Sequence, residues 1–334
     1  RNLSESNLKL EENTGFDPER VSGDARASLT LRRPALQNVA FEDVGLQVRG
    51  EIQNAGLKAA VGELDVLNGR VEVDLTEDRM ILTGFGDLGS SPVQFTWRDS
   101  FDDDGAPADL SATAVITPDV LNTFGLIGRA FLTGEIPTEM QGQVGSGGLQ
   151  KATFAFDLRD ARIDVAEIGW IKPAGEAARA TLTYTGDIRE QASEIRLDSD
   201  KAKLDGSIRL ASDGQLRELI LRRLFLEDLA DVSGDIKRDD TGGLLVTLGG
   251  AYLDVSSIIS DIGAVGGASG EAGFDLTFDA QVERLKMRGN LDLTNAIISV
   301  TNTTKGLDSF AAQGVSENGS TIDAFLKSNG PGQA

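Results

Sequence analysis

Residues 61–101 read VGELDVLNGRVEVDLTEDRMILTGFGDLGSSPVQFTWRDSF. Within them Val71, Val73 and Leu75 alternate with Glu72, Asp74 and Thr76, the period-2 signature of a strand with one dry and one wet face. Asn68-Gly69 before that strand and Thr76-Glu77-Asp78-Arg79 after it read as turns. Gly accepts a positive φ, and Asn and Asp side chains bond their own backbone. A second strand is predicted over residues 80–85, where apolar groups on both faces leave the register open. Beyond Pro92, Val93, Phe95 and Trp97 alternate with Gln94, Thr96 and Arg98. Strand, turn, strand, short link, strand is an antiparallel meander, and nothing in it is catalytic.

The same pattern spreads outward. Leu8 and Leu10 hint at one strand, Leu29 and Leu31 alternate, and residues 41–48 resume the alternation after Arg32-Arg33-Pro34, a solvated turn. Strands are predicted near 106–116, at 149–165 through Phe154, Phe156, Leu158, Ile163 and Val165, and at 181–184, 195–197, 204–210, 216–226, 234–237 and 244–248. They recur at 273–278, 284–287, 290–293 and 297–300, and beyond Thr301 the pattern dissolves. Two short helices interrupt them. One runs over 118–124, with Thr117 as N-cap, Pro118 at the first helical position and Gly125 as stop. The other follows Asp254, where Val255, Ile258, Ile259 and Ile262 share one face. Strands every 8–15 residues with almost no helix between them exclude a βαβ plan, so the chain is all-β. By pattern it divides into incoming strands at 1–58, a core at 59–255, a helix with continuing strands at 256–300 and a polar tail or continuation at 301–334.

Composition narrows the function. The 334 residues carry 53 acidic against 32 basic side chains, a formal charge of −21. That charge opposes nucleic acid, whose phosphates need a basic footprint, and electrostatic docking on anionic lipid. There is no Cys, hence no disulfide framework or thiolate metal site, and no His, the commonest general base and transition-metal ligand. No run approaches the roughly 20 apolar residues that cross a bilayer as a helix. The chain opens at Arg1 and ends in a Ser-Asn-Gly-Pro-Gly-containing tail, and is read as a section of a longer protein.

Candidate chemistry is sparse. Asp102-Asp103-Asp104-Gly105 lacks the spaced ligand pattern of a calcium loop, and Asp239-Asp240 sits in a hairpin turn. Gly145-Ser146-Gly147-Gly148 and the glycines from Gly263 to Gly270 lack the Gly-Lys-Ser/Thr ending of a phosphate loop. Two carboxylates suffice for glycoside hydrolysis, yet no pair is nominated, and the Trp and Tyr residues are only Trp97, Trp170, Tyr184 and Tyr252. No catalytic residue, metal ligand or cofactor is assigned, and the chain is read as no enzyme. What remains is the dry face: many strands offer an apolar stripe and few helices are available to cover it. The sheet must close, pack on another sheet or curl into a trough, and an open apolar trough means a partner or a lipid.

Residues 64–101 also resemble the AsmA-like envelope proteins, most closely their YhdP-type branch. The resemblance continues through LIGRAFLTGEIP (126–137), DLRDARIDVAEIGWIKPAG (157–175) and GLLVTLGGAYLDVSS (243–257). The string Gly169-Trp170-Ile171-Lys172-Pro173-Ala174-Gly175 is the most specific of these, and none is a catalytic motif.

The resemblance implies the central part of an inner-membrane-anchored protein crossing the periplasm of a Gram-negative bacterium. It implies a continuous, elongated, twisted antiparallel sheet curled into a U-shaped apolar groove, carrying phospholipid between inner and outer membranes without enzymatic chemistry. The expected lining is Val71, Val73, Leu75, Val93, Phe95, Trp97, Phe154, Phe156, Leu158, Ile208, Leu210, Val246 and Leu248. A one-residue slip in register would turn a strand's whole set to the other face. The rivals are a structural or adhesive β-solenoid that binds protein only, and a carbohydrate-active enzyme.

Overall fold

A computed structural model describes residues 18–34, 45–61, 64–101, 106–117, 120, 131–145, 148–165, 168–186, 193–211, 216–239, 241–256, 275–289, 291–304 and 306–327. It is all-β and mostly antiparallel, and it does not close into a barrel. The chain forms two compact units, Arg1–Ala161 with Leu182–Asp187, and Arg162–Thr181 with Ile188–Ala334.

The first unit holds β1 (Val21–Arg32), β2 (Gly45–Val61), β3 (Leu64–Thr76), β4 (Arg79–Leu88), β5 (Ser91–Ser100), β6 (Ala108–Ile116), the two-residue β7 (Leu132–Thr133), β8 (Ile136–Gly145) and β9 (Gly148–Asp157). From β1 to β9, with β7 aside, each strand pairs antiparallel with the next. The turn at Glu77-Asp78 stands where the sequence places it, with the Asp78 N–H donating to Thr76 Oγ1 at 3.4 Å.

Asn68-Gly69, read above as a turn, instead lies inside the continuous strand β3. Asn68 has φ +55° and the β3–β4 register shifts between Leu67 and Arg70, so the pair forms a β-bulge. Asn54 does the same in β2, with φ +52° and a register shift between Gln53 and Ala55. Asn tolerates the left-handed region whether the chain reverses or merely bulges, so the residue type alone does not choose between them. Asn68 Nδ2 bonds Asp87 Oδ2 at 3.0 Å and Asn54 Nδ2 bonds Asp24 Oδ2 at 3.2 Å, tying each bulge to the neighbouring strand.

The second unit begins with the hairpin of β10 (Arg162–Val165) and β11 (Trp170–Lys172). β12 (Ala178–Thr185) follows, divided between the units. Then come β13 (Ser193–Ser199), β14 (Ala202–Leu210), β15 (Leu216–Leu226), β16 (Ala230–Arg238), β17 (Leu244–Asp254), β18 (Leu276–Met287), β19 (Leu291–Thr303), β20 (Gly306–Ser316) and β21 (Thr321–Lys327). From β13 onward each pairs with the next, antiparallel except at one place. β17 and β18 run parallel, which corrects the expectation of antiparallel pairing throughout. A parallel pair cannot be joined by a tight turn, and in the sequence residues 255–275 separate the two strands.

β18 and β19 are single strands where the alternation suggested two apiece. Beyond Thr301, where the pattern weakens, the chain continues as β20 and β21. β8 and β11 carried no strand signal in the reading above. The expected helices over 118–124 and after Asp254 lie mostly outside the described residues; of their positions that are described, Val120 and Ser256 are helical.

The second unit holds a buried hydrophobic cluster. Leu226, Val232, Leu253, Val255, Val282, Leu285, Leu293, Ile298 and Val300 form one cluster, against which Ile168 and Trp170 pack. The Gly169–Gly175 string is thus a hairpin end and the turn beyond it, with Trp170 covering sheet side chains. Asp254 is the last residue of β17. Its carboxylate accepts from the Ser256 N–H at 2.9 Å and from Lys286 Nζ at 2.8 Å.

Candidate functional site: the apolar sheet face

Strand pairing decides which alternating residues share a face, because Cα partners in neighbouring strands point the same way. In the first unit one row runs Ala25, Ile52, Val71, Gly84, Phe95, Ala112, Met140, Phe154. The row beside it runs Ala27, Gly50, Val73, Leu82, Trp97, Leu110, Gly142, Ala152. A third carries Val48, Leu75, Met80 and Asp99, and a fourth Gly86, Val93, Ala114, Thr138 and Phe156. Val71, Val73, Leu75, Val93, Phe95, Trp97, Phe154 and Phe156 therefore lie on one face of one sheet. The rings of Phe154 and Phe156 stack at 6.3 Å.

The opposite face is built from the intervening residues. One row reads Arg26, Glu51, Glu72, Thr83, Thr96, Ser111, Gln141, Thr153, and another Ser28, Arg49, Asp74, Ile81, Arg98, Asp109, Gln143, Lys151. Arg70–Glu51 at 2.8 Å and Arg49–Asp74 at 3.8 Å are ion pairs across strands there. The four apolar rows named above contain one ionisable residue, Asp99, at the end of its row. It is buried, and desolvation pushes its carboxyl above the ordinary range against a smaller lowering by the Ser100 backbone.

The second unit repeats the division. Its apolar rows are Ser193, Ile208, Leu219, Ile236, Val246, Phe278, Val300, Phe310, Leu326, and Ile195, Gly206, Leu221, Gly234, Leu248, Ala280, Ile298, Ala312, Ala324. Ile208 and Val246 share the first row and Leu248 lies in the second, while Leu210 pairs with Leu216 one row further out. The bulged residue Arg222 falls on the polar side, where it binds Glu194, Asp205 at 2.7 Å and the Gly206 carbonyl at 3.0 Å.

Cover distinguishes the two. In the first unit Val71, Val73, Leu75, Leu82, Val93, Phe95, Trp97, Leu110, Phe154 and Phe156 are all only half-buried, and Leu29 and Leu31 are 60 % and 61 % exposed. A sandwich would bury such a face completely. Leu158 differs: it lies just past β9 and is buried, as is Leu210 in β14. In the second unit part of the face is the buried cluster, against which the half-buried Leu248 and Phe278 pack, while Leu219, Ile236 and Val246 are half-buried outside it.

Sequence reading missed Met80, Leu82, Leu110 and Met140, which stand in the same rows. Ile81 and Phe85 on the polar side hid the alternation of β4, and only pairing with β3 reveals it. The carboxylates singled out earlier are spent locally. Asp239 is held below the usual range first by the Thr241 hydroxyl, which donates to it at 2.7 Å, and then by the N–H groups of Gly243 and Thr241, each at 2.8 Å. Asp102, Asp103, Asp104 and Asp240 lie outside the described residues. Among the described residues no cluster suits a metal ion and no helix is long and apolar enough to cross a membrane.

Fold and face together define a class: an open, mostly antiparallel β-sheet protein with one apolar and one charged face in each unit. Compared with protein-family models, curated proteins and solved structures, the chain matches none.

Proposed function

We propose that this chain shields the acyl chains of phospholipid on its apolar sheet face, as a periplasmic section of a conduit between inner and outer membranes. The observation that carries the reading is the half-buried face of the first unit, whose rows cross eight strands and include one ionisable residue. Apolar surface of that extent needs an occupant. Each methylene moved from water onto it contributes about 0.8 kcal/mol. Interchangeable Val, Leu, Met and Phe side chains spread that affinity evenly along a path, as flow requires. The resemblance to AsmA-like envelope proteins supports the same reading, including a groove in which the sheet curls around the tails. The mechanism is sequestration and sliding, with no covalent step and no cofactor.

The test is lipid mass spectrometry on the chain purified under mild conditions from a Gram-negative host. Phospholipid is expected with the wild type and lost in Val73→Asp/Phe156→Asp, with the β-sheet circular dichroism of both intact. A folded wild type with no lipid above background would sink the proposal.

A further inference from the structure

The charged face of the first unit holds a feature that shielding lipid does not use. A depression of about 580 Å³ crosses β3, β4, β5, β6 and β8, lined among others by Arg70, Phe85, Gln94, Thr96, Thr113 and Glu139. Phe85 is 52 % exposed, and its cross-strand partners are Arg70 and Gln94. The aromatic residues of the apolar rows, Phe95, Trp97, Phe154 and Phe156, face the other way. Phe85 adds nothing to that face, and it follows directly on the Asn68 bulge, a device that re-aims side chains beside binding sites.

We infer that this depression is a binding site for a neutral oligosaccharide. A sugar ring presents an apolar C–H face and a rim of hydroxyls that both donate and accept. The depression offers an aromatic face at one side, the short hydroxyl residues Thr83, Thr96, Ser111 and Thr113 in the middle, and the amides of Gln94 and Gln141. Arg70 is already engaged by Glu51 at 2.8 Å, and Glu72 and Glu139 add negative charge, so phosphorylated and sulfated glycans are disfavoured. Five strands at a spacing of about 4.8 Å make the site roughly 19 Å long, enough for several pyranose rings. The same spacing separates Glu72 on β3 from Glu139 on β8, well beyond the roughly 5–10 Å of a two-carboxylate glycosidase, so the site binds and does not hydrolyse.

Calorimetry with chitotetraose and maltotetraose tests this. Binding of at least one is expected, weakened tenfold or more in Phe85→Ala and Gln94→Ala and kept in Phe85→Trp. Leu67→Ala, which removes an exposed side chain outside the depression on the same face, leaves it unchanged. Because Phe85 is exposed, Phe85→Ala keeps the wild-type circular dichroism and its lipid content, which separates this site from the apolar face. No binding of either sugar by folded wild type, or equal binding by Phe85→Ala, overturns the inference.

Discussion

The ring of Phe95 lies against the backbone of Gly84. A Cβ built on Gly84 would stand 3.1 Å from Cε1 and Cζ of that ring and 2.6 Å from the Arg70 carbonyl oxygen. The aromatic ring takes the space the glycine leaves, so the apolar row stays continuous. Gly84→Val is expected to cost about 1–3 kcal/mol through overpacking, read as a lower urea midpoint with an unchanged slope. An unchanged midpoint would mean that the ring swings aside freely.

The bulge at Asn68 makes a second prediction. At φ +55° a β-branched residue is strained, so Asn68→Val should lose about 1–3 kcal/mol. Asn68→Gly should lose less, since glycine adopts that φ without strain and gives up only the bond to Asp87. If both variants lose the same, the side-chain bond rather than the backbone holds the bulge.

Asp99 and Asp254 should respond to acid with opposite signs. Burial raises Asp99, so its folded carboxyl holds a proton more tightly than the unfolded one. Its charge weakens the fold at neutral pH, and Asp99→Asn is expected to raise the urea midpoint at pH 7, with the gain vanishing once the pH falls below the unfolded value of 3.8. Equal midpoints at pH 7 would contradict this.

For Asp254, burial acts upward, but the bonds from Lys286 and Ser256 outweigh it and hold the carboxyl below 3.8. Its contribution is complete above 3.8 and is lost as the pH falls through the folded value below that. Lys286→Met should lower the midpoint at pH 7 and flatten the acid limb of the midpoint-against-pH curve. An acid limb identical to the wild type would remove this pair from the account.

The two faces can be separated one residue at a time. Leu82→Asp places a charge in the row of Val73 and Trp97, whereas Thr83→Asp places it on the polar side. Co-purified phospholipid is expected to fall by more than half in Leu82→Asp and to match the wild type in Thr83→Asp. Equal loss in both would show that charge, and not the face, governs lipid content.

Much of the architecture is legible residue by residue. Val71, Val73 and Leu75, Val93, Phe95 and Trp97, and Phe154 and Phe156 announce their strands because alternation is a local property, set by a backbone that turns each side chain opposite to the last. The 216–226 strand does not alternate cleanly, and its ends are legible because turn residues flank the apolar run on both sides. β20 escapes because Ala311, Ala312 and Gly314 carry little polarity contrast, whereas β4 is legible as a strand over 80–85 and only its register stays open, because Ile81 and Phe85 make both of its faces look dry.

The sequence by itself therefore determined an all-β chain with an acidic surface and no His or Cys chemistry, since composition and period-2 alternation require no knowledge of neighbours. Only the tertiary structure decided that the alternating sets of separate strands fall on one face. That outcome depends on register, and register depends on bulges at Asn54 and Asn68, of which Asn68-Gly69 reads as a turn until its partner strand is known. The parallel pairing of β17 and β18 likewise belongs to the three-dimensional level. It joins segments on either side of residues 255–275 through hydrogen bonds between main-chain groups, which carry no sequence signal of their own.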